Sequence, residues 1–418
     1  MNELAATTAA PLLRSQPQDR RLRVAVVLGT RPELLKLVPV IAELERHPQR
    51  VQVQVILTGQ HRELLHGLPE LFGLRSYRQL AVRNDSPNLP ALTAMLLQEL
   101  DAALAAEPCD AVVVQGDTTT AFCAALAAFY RRIPVAHVEA GLRTHNPSEP
   151  FPEEINRQLV GRLARWHFAP TAAAAANLTA EGIGAEGVVI TGNTIVDTLV
   201  WVRSQYMSAD YAHTLLASEA PQLEAALAAI RAQQGQTLAL LTLHRRENQG
   251  LKLTAFLSML RELAARHPDH HLIYPYHLNP QVRLPAQALL GDLPNVHLIA
   301  PLSYRPMLFL MGQVDFALSD SGGLQEEFPS FGKPLLVLRD STERPELLTA
   351  KMGKLVGLEP AVVAAAVEDL LQCSRSGTAP VWYQAGGNPF GDGQAAQRIV
   401  ARLLRDLAAG AGVDLTVA

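Results

Sequence analysis

The 418-residue chain predicts an α/β protein built from two doubly wound domains that face each other across a cleft. Short Val- and Leu-rich runs, each the length of one buried strand, alternate with amphipathic helical stretches. That alternation occurs twice, separated by an Ala- and Glu-rich stretch from about Tyr206 to Gln236 that carries no strand signal. Polar residues gather directly after the apolar runs, where open parallel sheets bind ligands.

Residues 1–21 are polar and Ala-rich, with Arg14, Arg20 and Arg21 but no apolar signal-peptide stretch, and are expected to be a disordered tail. The first domain is expected over residues 22–205: VAVVLGT, a helix from Pro32 to about Arg46, VQVQVILTG, AVVVQGD, a helix through TTAFCAALAAFYRR, VAHVEAG, a helix around EEINRQLVGRLA, WHFAPT and GVVITGN. The second is expected over 206–385, with strands TLALLTL, HHLIYPY, VHLIA, FALSD, PLLVLRD and KLVG. Residues 386–418 hold a helix from about Gly393 to Ala409, whose apolar side could pack on either domain.

Composition narrows the function. Apolar residues make up 48% and charged residues 18%, and no apolar run is expected to span a bilayer. A net charge of −4 argues against a nucleic-acid surface and leaves small molecules or sister subunits as partners. Cys109, Cys123 and Cys373 are widely spaced without a CxxC, so neither a disulfide framework nor a metal site is expected. A reducing cytoplasm fits that usage.

The richest segment is ALSDSGGLQEEFPSFGKPLLVLRDSTERPE, residues 317 to 346, where an apolar strand runs into Ser321, Gly322 and Gly323 and then an acidic helix. Glycines admit an anion close to the backbone, and the first-turn N–H groups and helix dipole favour negative charge there. Glu326 and Glu327 would repel phosphate and suit a ribose diol, so a nucleotide fits. A simple Ser321 N-cap is the plainer alternative. Arg31 and Lys36, in and after GTRPE, could meet phosphate across the cleft. The run lacks GxGxxG, so no dinucleotide cofactor is implied.

Asp117, in QGDT, could be a base, though local sequence favours a helix cap. Glu139, in HVEAGLR, is an acid at an apolar strand end, suited to proton transfer if its pKa rises, or to an ion pair with Arg143. Glu153 opens a helix, where acids usually serve the dipole. His244, Arg245 and Arg246 form a cationic cluster for a diphosphate, and Arg339 and Arg344 add charge. His277 reads as a structural histidine.

Together GTRPE with Lys36, TGQH (Thr58 to His61), QGDTTT, HVEAGLRT, PFPEEINRQL, TGNT, HRREN, HLNP, SDSGGLQEE, RDSTERPE and NPFGDGQA resemble, in order, the signatures of the non-hydrolysing UDP-N-acetylglucosamine 2-epimerases. The resemblance covers about Arg23 to Leu404. It implies a GT-B-type fold with a C-terminal helix crossing back to the first domain, a cytoplasmic homodimer, no cofactor, and supply of UDP-N-acetylmannosamine for surface polysaccharides. It implies anti elimination of UDP to 2-acetamidoglucal and re-addition. Asp117, Glu139 and Glu153 would then be acid/base groups, and His244 would assist the leaving diphosphate. Arg31, Lys36, Ser321, Gly322, Gly323 and Arg344 would hold phosphates, and Glu327 the ribose. Gln60, His61 and His277 resemble a second, activating UDP-sugar site.

Several positions depart from the family pattern: Leu243 and Ala136 where Gly is usual, Lys351-Met352 for Gly-Thr, and Pro147-Ser148-Glu149 before Glu153. They leave the exact UDP-HexNAc open. A hydrolysing epimerase, an epimerase of a modified UDP-HexNAc, a GT-B glycosyltransferase and a non-enzymatic UDP-sugar sensor also remain open here.

Overall fold

A computed structural model describes residues 21–60, 68–74, 76–82, 88–206, 209–233, 235–245 and 248–411. Of the tail expected over residues 1–21, residues 1–20 lie outside the described residues. The first lobe is a parallel sheet of β1 (Leu22–Leu28), β2 (Val51–Leu57), β3 (Arg78–Gln79), β4 (Ala111–Gln115), β5 (Val135–Val138), β6 (Trp166–Ala169) and β7 (Val188–Ile190), in the order β3-β2-β1-β4-β5-β6-β7. The second lobe holds β8 (Thr237–Thr242), β9 (His270–Pro275), β10 (Val296–Ile299), β11 (Phe316–Ser319), β12 (Leu335–Val337) and β13 (Gly353–Leu355), in the order β10-β9-β8-β11-β12-β13. Among the described residues, β3 is the one strand that escaped the sequence reading. It has two residues and no apolar run.

Both lobes reverse strand order at one point, between β1 and β4 and between β8 and β11. The carboxyl ends of the strands at such a reversal frame a crevice. β1 shows why its sequence is apolar throughout: Val24, Val26 and Leu28 belong to one buried cluster, and Ala25 and Val27 to another on the opposite face.

The helix Arg31–Glu45 starts where Thr30 accepts from Glu33 N and Glu33 reaches back to the Thr30 backbone, a capping box with Pro32 in the first turn. Its Leu34, Leu37, Ile41 and Leu44 are buried at helical spacing. Each is worth about 1.5–3 kcal/mol of burial. Leu37→Ala would cost about 2–5 kcal/mol through the cavity left behind.

The helix Ala395–Ala411 returns from the second lobe and packs on the helices Arg31–Glu45 and Thr194–Tyr206. Ile399 and Leu403, one turn apart, are fully buried. Asp197 accepts from Ala395 N and Ala396 N at 3.2 and 2.9 Å, a carboxylate at a helix N-terminus. Trp166 Nε1 donates to Asp406 at 2.9 Å and holds the far end to β6.

One helix bears on the expectation that no apolar run spans a bilayer. The helix Leu89–Ala106 is long and apolar enough to cross a membrane by length and composition, because Leu and Ala dominate it. Here it packs on the helix Thr119–Tyr130 at the outside of the first sheet, and its Asp101 pairs with Arg131 at 2.7 Å.

Candidate active site

The chemistry-bearing residues fall at strand ends. Thr30 and Arg31 follow β1, Asp117 follows β4, Glu139 follows β5, His244 follows β8 and Ser321 follows β11. Both switch points therefore contribute to one interlobe crevice.

At the end of β4 the expected N-cap role moves to Thr118, which accepts from Ala121 N at 3.0 Å. Asp117 is released from capping and instead pairs with Arg157, whose Nε lies 2.9 Å from Oδ2. Asn156 Nδ2 donates to the Asp117 carbonyl at 2.9 Å. His137 Nε2 lies 2.8 Å from the Gly116 carbonyl, and burial pushes its pKa down to about 3, so the ring is neutral and donates that bond. Gly116 itself has φ +68°, a left-handed turn that puts Asp117 at the crevice.

Glu153 stands at the start of the helix Glu153–Leu163, half-buried, while the next residue, Glu154, is fully buried. Burial and the nearby Asp117 raise the Glu153 carboxyl, opposed by Arg157 and by Arg245 of the second lobe. Glu153 therefore senses both lobes.

Glu139 does not pair with Arg143, which binds Glu181 at 2.6 and 2.8 Å. Its backbone has φ +63°, which turns the side chain from β5 into the crevice. Lys36 Nζ lies 2.6 Å from Glu139 Oε1 and 2.9 Å from Glu326 Oε2, so one ammonium joins the lobes. Gln115 Nε2 donates to the other Glu139 oxygen. Burial pushes the Glu139 pKa up to about 7, with Lys36 working against it. Burial pulls the Lys36 ammonium down, but Glu139 and Glu326 outweigh it and hold its pKa above the usual range. Lys36 thus sits between carboxylates. Glu326, read from sequence as a ribose acceptor, serves the cations: Arg344 Nε donates to it at 2.7 Å.

Ser321 precedes the helix Gly322–Glu327 with no side-chain cap bond, so the plainer capping alternative does not describe its hydroxyl. The Arg344 guanidinium explains Gly322, because a Cβ there would meet Nη1 at 2.9 Å. Gly323 is exposed and nothing crowds it. Arg339 and Arg344 both bind Glu343, so part of the expected positive charge is neutralised. Glu327 is buried with Tyr304 Oη 3.4 Å away. Burial and Glu326 push its pKa up to about 7, while Arg31 of the first lobe pulls it down across the crevice.

His244 is exposed, and its Nδ1 lies 2.8 Å from Asp320 Oδ1. Asp320 also accepts from His244 N, Arg245 N and Asn248 Nδ2. Burial would raise the Asp320 carboxyl, but the His244 bond and charge and the backbone donors hold it low. Arg246 lies outside the described residues. Leu243 is buried in the second-lobe core.

Of the suggested second-site residues, Gln60 accepts from Thr120 N and Oγ1 at 3.3 and 2.8 Å, and His277 is exposed with Asn279 N bonded to its Nδ1 at 3.1 Å. His61 lies outside the described residues.

Sequence reasoning missed Asp320, Arg157, Glu154 and Gln115. Asp320 had a readable signal, an acid directly between a strand and the glycine turn. A cavity of about 1060 Å³ also opens between the lobes, lined by Thr171, Val196, Val200, Pro345, Glu346 and Asn388 among others. None of the described sequence-predicted site residues lines it.

Two Rossmann-like lobes with carboxyl groups on one rim and a glycine turn with its guanidinium on the other define a GT-B-type α/β protein. A profile described as UDP-N-acetylglucosamine 2-epimerase matches residues 42–404. The chain is 42% identical to the UDP-N-acetylglucosamine 2-epimerase of Escherichia coli K12 over 91% of its own length and 98% of that protein's. The crystal structure of UDP-GlcNAc 2-epimerase from Neisseria meningitidis bound to UDP-GlcNAc is 41% identical and superposes with a TM-score of 0.82, covering 92% of this chain and 100% of that one. The Methanocaldococcus jannaschii enzyme in complex with UDP-GlcNAc and UDP is 31% identical, with a TM-score of 0.71 over 92% and 100%. The chain belongs to the UDP-N-acetylglucosamine 2-epimerase family.

Proposed function

We propose that the protein interconverts UDP-N-acetylglucosamine and UDP-N-acetylmannosamine without net hydrolysis. C2 bears an amide nitrogen and no carbonyl neighbour, so direct deprotonation would leave an unstabilised carbanion. Anti elimination avoids it: a carboxylate takes the C2 proton, the C1–O bond breaks with its electron pair going to UDP, and C1=C2 forms. UDP then re-adds at C1 while a carboxyl group protonates C2 on the other face.

The observation that carries this reading is the position of Glu139, a buried carboxyl directly after β5, held by Lys36 and Gln115, whose proton affinity burial raises toward the range that suits transfer in both directions. It stands one cation away from the rim that carries Arg344 and Gly322. Asp117 and Glu153 supply the further carboxyl groups that opposite-face chemistry needs, and His244 supports the departing diphosphate. Arg31, Ser321, Gly322, Gly323 and Arg344 hold phosphates and Glu327 the ribose. Lys36 acts by setting the charge of Glu139. The family resemblance supports a cytoplasmic homodimer, with a product used for surface polysaccharide.

The test is incubation with UDP-N-acetylglucosamine in heavy water, followed at C2 by NMR. The expected result is deuterium in both epimers with the UDP bond intact. Unlabelled, unchanged sugar overturns the reading, and free N-acetylmannosamine with UDP identifies a hydrolysing enzyme instead.

A further inference from the structure

Asp117 and Glu153 are like charges close enough that one raises the other, and both border the crevice. Something must hold Asp117 in a fixed direction, since a short carboxylate on a loop otherwise turns away from a like charge. Arg157 is 5% exposed. Its Nε and Nη2 both bond Asp117 Oδ2, and its Nη1 donates to Glu154 Oε2 at 3.1 Å. The guanidinium is buried and spent on two carboxylates. Glu154 is the anchor behind it, accepting also from Thr144 N, His145 N and Gln158 Nε2 at 3.1 to 3.2 Å. The first turn of one helix thus carries Glu153 and, three and four residues on, the Asn156 and Arg157 that grip Asp117.

We propose that Arg157 is a positioning residue for the reaction: its two bonds to Oδ2 leave Asp117 Oδ1 as the oxygen presented to the sugar. Only a fork donor performs this, because a lysine ammonium is a point charge that cannot reproduce two fixed N–H directions. The inference rests on the proposed epimerase reading.

Wild-type C2 exchange in heavy water is measured first, and its absence would defeat the functional reading and leave the role of Arg157 without a reaction. With exchange established, Arg157→Gln is expected to lower its kcat about 100-fold, the scale of an ångström of misplacement, with KM and UDP affinity within about threefold. Arg157→Lys keeps a charge against Glu154 should the glutamine variant fail to fold, and is expected to lose at least about tenfold. The double variant Asp117→Asn with Arg157→Gln is expected to be no slower than Asp117→Asn alone, since a residue acting through Asp117 has nothing left to aim. Exchange within threefold of wild type in Arg157→Lys, or multiplicative losses in the double variant, would overturn the proposal.

Discussion

Glu139 in the first lobe and Glu326 in the second bind the same ammonium, Lys36, at 2.6 and 2.9 Å, and both are buried, yet their proton affinities diverge. The first rises to about 7; the second falls below the usual carboxylate range because Arg344 joins Lys36 against the cost of burial. Glu343 goes the same way as Glu326, held low against burial by Arg344 and Arg339. Glu153 goes the same way as Glu139. The first lobe therefore keeps carboxyl groups that can gain and lose a proton, and the second spends carboxylates on fixing cations. Glu327, raised to about 7, is the second-lobe exception, and it neighbours no guanidinium of its own lobe in the manner of Glu326. The direct Arg344 bond on Glu326, more than burial or the number of cations nearby, separates the two roles.

The largest expected effect is on Glu139→Gln, which should cut C2 exchange by about 10²–10⁴-fold, the usual worth of an acid/base group. A folded variant with full exchange would remove the first lobe from the chemistry. Next, Asp320→Ala should leave the donors of His244, Arg245 and Asn248 without their acceptor, costing about 1–3 kcal/mol in denaturant unfolding. Unchanged stability would mean the second-lobe anchor carries no load.

Lys36→Met sharpens the comparison through pH. Lys36 lowers the proton affinity of Glu139, so its removal should move the ionisation seen in the pH–rate profile above 7. A shift toward acid would reverse the assignment. For stability the sign follows the raised folded value: the Glu139 contribution is complete below the ordinary glutamate value of 4.5 and is lost as pH climbs through about 7. Glu326, with a lowered value, contributes in the opposite sense.

Gly322→Ala would set a methyl group 2.9 Å from Arg344 Nη1, and a guanidinium displaced by that contact should weaken UDP binding about tenfold, or 1.4 kcal/mol. The smallest effect is at Lys351, which has φ +55° where the family usually places glycine. Lys351→Gly relieves about 1 kcal/mol of left-handed strain but adds chain entropy of similar size. Thermal unfolding should shift by only a few degrees.

Most strands were legible because β1, β4, β8 and β12 are buried on both faces and so read as unbroken apolar runs. The edge strand β3 is two residues long and carries no such pattern. At the site, the residues directly after strands were legible, since topology alone sends them to the crevice. Their partners were not. Asp117 with Arg157 and Thr118 with Ala121 differ only in which neighbour the backbone caps, and Lys36 meets Glu326 across 290 positions of chain that no local pattern spans. Glu326 was misread for the same reason: its acid character was visible, but the two cations facing it were not.

The division of labour between the lobes is tested most directly by calorimetry of UDP with Glu139→Gln and Arg344→Met side by side. The expected result is UDP affinity within about threefold of wild type for the first and at least tenfold weaker for the second. Weak binding in Glu139→Gln with wild-type binding in Arg344→Met would contradict it.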